Sequence, residues 1–567
     1  MSRSTWALVA LAFFGGMYVL FQMATRTPEP PEHQVFIDGT VLTMNAEAPI
    51  AQAVSVRGDT IEAVGSTEEI MALVTDETEV HDLLGRTLMP GFIDAHGHFP
   101  GSGMYALVAN LSSPPVGDVL DMAMLIERLR VQAQSKEPGE WVIGLSYDDT
   151  AIAEQRHPTR LDLDKASTEH PIVALHSSLH FATVNTKALE LLGIDATTPD
   201  PEGGVIVRDE QGQATGVLEE NAMMSLMQEV LSFGAFEGFL MTKAAVKDYA
   251  QHGVTTANMG AASLEQMKGM RMLSNWGVIP QRLTVMPLQT ENDAAITQGT
   301  FDEAEWDTDR FDVIGFKIVA DGSIQGYTGY LSHPYHVPFK GDTDYRGYAR
   351  VSRDDLFRQV RDIFKQGYKV AIHTNGDASI DDALDAVEAA LQEFPADDHR
   401  TILIHSQMSR LDQIERMARL GVTPSFFTAH VYFWGDRHRD IFMGPARAEN
   451  ISPSQWAIQN GVRFTTHLDT PVVPMRPLRA VSAMVNRLTS SGQLLGEDQR
   501  TDVMTALRAT TIDAAWQVGQ EGKLGSIEPG KLADLVVLSG NPLENADRVH
   551  ELKVERTVIG GVTIYRR

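Results

Sequence analysis

The chain has 567 residues, of which 43% are hydrophobic and 22% charged, and its 47 Lys and Arg against 75 Asp and Glu give a formal charge of −28. This composition excludes long disorder, collagen-like repeats and a polytopic membrane protein, and the acidic balance argues against nucleic acid as a partner, because phosphate binding needs a basic surface. Without any Cys there are no disulfides, thiolate zinc sites, iron–sulfur clusters or Cys nucleophiles, so a metal must be held by carboxylates or by some of the 18 His.

Trp6 to Ala24 (WALVALAFFGGMYVLFQMA) is an apolar run between Arg3 and a Pro/Glu-rich stretch. At roughly 19 residues it suffices to cross about 30 Å of hydrocarbon and exceeds the usual apolar stretch of a cleaved leader. Residues 1–27 are therefore expected to be a signal anchor with a membrane-spanning helix, a signal peptide being the competing expectation, and 28–34 a linker. An exported domain follows from the weak charge bias, periplasmic or extracellular, or secreted if the signal is cleaved.

Short strand patterns with Asp-Gly and Gly-Asp turns follow at 35–65, and the same texture returns in Leu535–Leu538 and Thr557–Tyr565. A small β-sandwich domain built from both chain ends, 35–88 with 520–567, is expected. Between them, at 89–519, apolar runs ending in polar residues alternate with helical patterns such as Ser379–Glu393 and Arg410–Leu420. The runs are Gly91–His98, Pro171–His176, Gly253–Asn258, Val313–Ala320, Lys369–His373, Thr401–His405, Gly421–Ser425 and Val462–Asp469. Strands that are apolar throughout mean a parallel sheet covered on both faces. Eight of them point to an α/β chain of the (β/α)8 TIM-like barrel class, with insertions at about 101–250.

The carboxyl ends of such strands carry the chemistry. The first run ends in Asp94-Ala95-His96-Gly97-His98, and residues two apart on a strand face the same side. Later runs end in His373, His405 and Asp469. Imidazole and carboxylate ligands suit Zn2+, the first expectation, as well as Mn2+ or Fe2+.

These residues resemble the amidohydrolase superfamily of metal-dependent hydrolases, through MPGFIDAHGH (89–98), VAIHTNGD (370–377), ILIHSQ (402–407) and IEPGKLADLVVLSGNPL (527–543). A closer resemblance, to the branch with N-substituted formamide deformylase and YtcJ-like proteins, lies in WVIGLSYDD (141–149), HFATVNTKAL (180–189), GFKIVADGS (315–323) and HVYFWGDRH (430–438). The resemblance implies metal ligands at His96, His98, His373, His405 and Asp469. It also implies one at Lys317 if that lysine is carboxylated, since an ammonium would repel a cation; two ions are then expected, otherwise one. Many relatives have Ser where this chain has His467, which is expected to hydrogen-bond Asp469.

The implied activity is hydrolysis of carbon–nitrogen bonds other than peptide bonds, in N-substituted linear amides, with Asp469 as proton acceptor and donor. His180, Asn185, His430, Trp434 and Arg437 are weaker candidates for substrate contact, while Asp321 and Asp377 read as helix caps. The same site could serve a lactone, ester, cyclic amide or phosphotriester, and a membrane-tethered scaffold without chemistry is the non-enzymatic alternative. Expected partners are a small-molecule substrate and the membrane, with a homodimer allowed for and no nucleic acid.

Overall fold

A computed structural model describes residues 28–177, 181–201, 204–220, 222, 223, 226, 230 and 233–567. The signal anchor expected at 1–27 lies outside them, as does His180. Among the described residues no helix is long and apolar enough to cross a membrane. The chain divides into two compact units, one running through Phe99 and resuming at Val246, the other Pro100–Ala245.

In the first unit, the two ends of the chain share a mixed six-stranded sheet. Its order is Val562–Arg566, Val554–Ile559, Leu535–Leu538, Thr87–Pro90, Thr40–Leu42 and Ile50–Ala51. Leu535–Leu538 runs antiparallel to Thr87–Pro90, with Val537 opposite Leu88. A four-stranded sheet holds Thr60–Gly65, Ala53–Arg57, His33–Ile37 and Glu79–Asp82. Phe36, Val54 and Val56 from that sheet join Val41, Leu88, Leu535 and Val558 in one buried cluster. Such side chains contribute roughly 1.5–3 kcal/mol each when fully buried, so the chain ends are held by a core of their own.

The same unit contains eight strands that carry the site. They are β1 (Phe92–Ile93), β2 (Val254–Ala262), β3 (Arg282–Pro287), β4 (Phe316–Val319), β5 (Val370–Thr374), β6 (Ile402–His405), β7 (Thr423–Phe426) and β8 (Thr465–Thr466). One parallel sheet orders β1, β2, β3 and then Phe311–Val313; the other runs β4 to β8 in sequence order, also parallel. A parallel bridge between Leu288 and Lys317 joins the two sheets on one side. On the other, Asp469 N donates to His96 O at 3.2 Å and His98 N to Thr470 O at 2.8 Å. The segments that follow β1 and β8 are thereby tied together at the strand ends.

Helices α1 (Asp377–Glu393) and α2 (Leu411–Leu420) follow β5 and β6. On α1 the buried Ile380, Ala383, Leu384, Val387 and Ala390 recur at three- and four-residue intervals, the spacing of one helical face. Gly421, with φ of +70°, ends α2 in the left-handed conformation that favours glycine.

One strand assignment is corrected. Pro171–His176 supplies no strand to the parallel series, because Ile172–His176 belongs to a sheet of the second unit, and β3 takes a place in the series. The sequence of β3, RLTVMP, opens on a charge and breaks its apolar run at Thr284. Arg282 is tolerated because Asp534, far along the chain, receives its guanidinium in two hydrogen bonds of 2.9 and 3.1 Å. No local pattern reveals that partner.

The second unit has a six-stranded mixed sheet ordered Gly204–Arg208, Ala214–Glu220, Phe181–Val184, Ile172–His176, Val142–Tyr147 and Ala109–Asn110. Two apolar clusters of its own surround that sheet, one containing Val173, Leu175 and Leu218 and the other Leu125, Leu129 and Ala174.

Removing one partner of a buried ion pair leaves the other charge uncompensated, at a cost of about 3–5 kcal/mol. R282A is therefore predicted to lose that much unfolding free energy in urea denaturation, and R282M combined with D534N to lose clearly less than the two single changes together. A loss below ~1 kcal/mol for R282A would show that the pair does not anchor β3.

Candidate metal centre

His96 and His98 follow β1, His405 ends β6, and Asp469 follows β8. The Nε2 atoms of the three imidazoles gather around one carboxylate. His98 Nε2 lies 3.0 Å and His96 Nε2 3.5 Å from Asp469 Oδ1, and His405 Nε2 lies 4.0 Å from Oδ2. Two donors bound tetrahedrally at 2.0–2.2 Å from one zinc ion would stand about 3.3–3.6 Å apart, so this spacing suits a shared cation. Asp469 Oδ1 is buried and makes no hydrogen bond of good geometry despite its close neighbours.

Backbone conformation helps to aim these groups. His405 and Asp469 have φ of +74° and +52°, in the left-handed region, as does Ser406 at +43°. Non-glycine residues there cost roughly 1–2 kcal/mol each. The bonds from Asp469 N to His96 O and from Ser406 N to Thr374 O at 2.9 Å hold those turns.

Burial sets the protonation of the cluster. It pushes His96 and His405 well below the ordinary imidazole range, reinforced for His96 by Lys317 and for His405 by His373. Both rings are thus neutral and can offer lone pairs. Burial alone would raise Asp469, yet its contact with His98, with His467 and Lys317 close by, brings it down to about 2. Burial lowers the Lys317 amine to about 7, and its Nζ lies 3.2 Å from His96 Nε2. The neutral imidazoles of His96 and His405, the His98 ring and one carboxylate form a donor set that fits a divalent cation of the zinc type.

His373 is brought against His405, with ring centroids 4.5 Å apart, and not against Asp469. Its Nδ1 is 3.1 Å from Asp321 Oδ1. Asp321 is fully buried and also accepts from the backbone N–H of Tyr330, Asn375 and Gly376 at 2.8–3.0 Å. It therefore orients an imidazole and does not pair with Lys317. Asp377 is not the cap of α1, which Gly376 provides; its carboxylate receives Ser332 N at 2.9 Å and Arg410 Nη1 at 3.0 Å.

The weaker candidates divide. His430 and Trp434 lie on α3 (His430–Arg437), their rings tilted against each other with centroids 4.4 Å apart. His430 is buried behind Phe427, at 4.2 Å, and its Nδ1 is 2.9 Å from His438 Nε2. The guanidinium of Arg437, at the end of α3, lies over the Phe442 ring at 5.6 Å. Asn185 is a helix cap in the second unit: its Oδ1 accepts from Ala188 N and Ile172 N, and its Nδ2 donates to Ser167 O and His170 O.

His467 does not hydrogen-bond Asp469. Its Nε2 meets His405 Nδ1 at 3.0 Å and its Nδ1 meets Ser425 Oγ at 3.0 Å. Burial drives this ring down to about 3, so it is neutral. Asp94, in the first motif, was given no role by sequence reasoning. Burial raises it to about 7 against the opposing hydrogen bond from the Tyr249 hydroxyl, 3.1 Å from Oδ2. An acidic residue two before His96 was the available signal, and the tyrosine partner was not readable.

Residues 79–565 match the amidohydrolase family. The chain is 30% identical over 548 residues to N-substituted formamide deformylase of Arthrobacter pascens, covering 94% of this chain and 98% of the relative. It is 27% identical over 544 residues to the putative amidohydrolase YtcJ of Bacillus subtilis (strain 168), covering 93% and 98%. In three dimensions it resembles an uncharacterized metal-dependent hydrolase from Pyrococcus horikoshii OT3, with a TM-score of 0.72 and 24% identity over 90% of this chain and 98% of that one.

Gly260, on β2, lies flat against the first candidate ligand: a Cβ there would stand 2.2 Å from His96 Cε1 and 2.3 Å from Nδ1. G260A is predicted to displace that ring and to leave the purified protein with less than about half the wild-type metal content, at a stability cost of about 1–3 kcal/mol. Wild-type metal content by elemental analysis of folded G260A would refute this placement of His96.

Proposed function

The chain belongs to the amidohydrolase family, and on that premise we propose that it is a metal-dependent hydrolase of carbon–nitrogen bonds other than peptide bonds, acting on N-substituted linear amides. The observation that carries this is the convergence of His96, His98 and His405 Nε2 on the Asp469 carboxylate within 3.0–4.0 Å. The likeness to a formamide deformylase along 94% of the chain supports the amide substrate.

His96, His98, His405 and Asp469 would hold the ion, taken as Zn2+, with His373 beside them. A cation held there would supply a Lewis acid for a carbonyl oxygen and would ease the loss of a proton from water, to a pKa of about 7 in zinc enzymes. Asp469, ionised near neutrality, takes a proton from the attacking water and passes it to the departing nitrogen, which leaves poorly as an anion. Lys317 at about 7 is substantially unprotonated near neutrality. That amine can add carbon dioxide, forming an N–C bond and releasing a proton, and the resulting carbamate would exchange a repelling cation for an anionic ligand of a second ion. The aromatic segment His430–Arg437 would supply an apolar wall for the N-substituent.

The architecture proposed around the site is one closed (β/α)8 barrel over 89–519, supported by the links between β4 and β3 and between the ends of β8 and β1. A β-sandwich from 35–88 and 520–567 adjoins it in sequence. Residues 1–27 are proposed to anchor an exported enzyme in a membrane, on the apolar run Trp6–Ala24.

Two outcomes are expected. Metal-analysed protein assayed against N-substituted formamides and acetamides, lactones, esters, cyclic amides and phosphotriesters should turn over the linear amides best, losing activity to a chelator and regaining it with added zinc. A preference for another class by a hundredfold or more would overturn the substrate assignment. D469N should keep at least half of its metal and lose about 10²–10⁴ in kcat; wild-type turnover in metal-replete D469N would remove Asp469 from the chemistry.

A further inference from the structure

The second unit carries its own cluster of imidazoles and carboxylates, built from residues that the centre around Asp469 does not use. Its strand Val142–Tyr147 runs parallel to Ile172–His176, and a register shift between Leu145 and Tyr147 sets Tyr147 opposite His176. Ser146, inside that shift, has φ of +71°; a bulge of this kind re-aims the side chains beside it. Asp148 and Asp149 follow directly on the strand, and His157 comes back against Tyr147.

His176 Nε2 lies 3.0 Å from Asp149 Oδ1, and His157 Nε2 lies 3.9 Å from Asp149 Oδ2. One ligand atom each from Asp148, Asp149 and His176 falls within 4.8 Å of the others. Thr150 holds the Asp148 carboxylate in place, its backbone N–H and its hydroxyl donating to Oδ1 at 3.0 and 2.6 Å. A simple ion pair joins one cation to one anion. Here two imidazoles divide a single carboxylate between its two oxygens, and a second carboxylate stands beside it. Donors bound at 2.0–2.2 Å to one ion stand roughly 3.0–3.6 Å apart, and the two measured separations bracket that range.

The surroundings fit the same use. His157 Nδ1 is 2.9 Å from the Tyr147 hydroxyl, which also meets Thr183 Oγ1 at 3.3 Å. An imidazole tied through its second nitrogen is the arrangement that metal-ligating histidines show. Phe181 packs against both rings, with centroids 4.9 Å from His157 and 5.7 Å from His176. The side chains of Asp149, His157 and His176 are 22%, 29% and 12% exposed, so an ion can enter and water can complete its coordination.

We propose that His157, His176, Asp148 and Asp149 bind a divalent cation of the zinc class in the second unit, with Tyr147 as the positioning residue of His157. Two imidazoles beside two carboxylates favour Zn2+ over Ca2+ and Mg2+, which take oxygen ligands. Bound there, the ion fastens the segment Asp148–His157 to the end of strand Ile172–His176. The half-open setting makes the ion exchangeable, so the site is measured by refilling stripped protein. None of its ligands belongs to the centre around Asp469, and the proposal stands apart from the catalytic reading.

The test titrates chelator-stripped, full-length protein with zinc against a chromophoric chelator, in wild type, D149N, H176Q and Y147F, with folding checked by circular dichroism. Wild type should bind one equivalent more than D149N or H176Q at micromolar free zinc. Y147F keeps every ligand and should bind that equivalent about 10–100-fold more weakly. Anomalous diffraction at the zinc edge should place an ion about 2.0–2.2 Å from Asp149 and His176. Equal stoichiometry in wild type and in folded D149N and H176Q overturns the site, even where soaked crystals show an ion. Zinc at Asp469 with none at Asp149 overturns it as well, and unchanged affinity in Y147F removes the role given to Tyr147. Where a ligand variant does not fold, the anomalous map decides. Zinc at Asp149 with none at Asp469 sinks the catalytic reading and upholds this one.

Discussion

Desolvation governs this site. The His96 and His405 imidazoles, a lysine and a carboxylate are withdrawn from water into one cluster, where a charged ring is far more costly than a neutral one. The His96 and His405 imidazoles give up their protons, the lysine amine falls to about 7, and Asp469 keeps its charge through its contact with His98. Neutral rings have lone pairs to offer, and a single carboxylate supplies the matching negative charge. Were the cluster open to water, the same residues would form an ordinary set of ion pairs and would have little reason to keep Asp469 Oδ1 without a good hydrogen bond.

The order is maintained by what lies behind the ligands. Asp321 orients His373 with its remaining lone pairs committed to three backbone N–H groups, while His405 is backed by His467 and, behind that ring, by Ser425. Both supports come from elements that neighbour the ligand-bearing strands, so the strands fix position and the side chains behind them fix orientation. Gly260 belongs to the same scheme, since any side chain there would occupy the space of the His96 ring.

What could be read from the sequence follows the range of the interaction. His96 and His98 were legible because strand geometry places alternate residues on one side, and His405 and Asp469 because they end apolar runs. The helices α1 and α2 were legible from their apolar spacing. Two things were not. The partner of His467 depended on a neighbouring strand, so the sequence offered the nearer Asp469 in its place. Strand β3 was hidden because Arg282 answers to a carboxylate hundreds of residues away. Pro171–His176 has the texture of a core strand because it is one, in the sheet of another unit.

The pairing of Leu535–Leu538 with Thr87–Pro90 bears on how the molecule is made. The strand that leads into β1 acquires its antiparallel neighbour only after nearly the whole chain has left the ribosome. Contacts so distant in sequence close late and slowly, and until then Thr87–Pro90 presents an unpaired edge to solvent. Synthesis therefore imposes a waiting period on the nascent chain before that edge is covered.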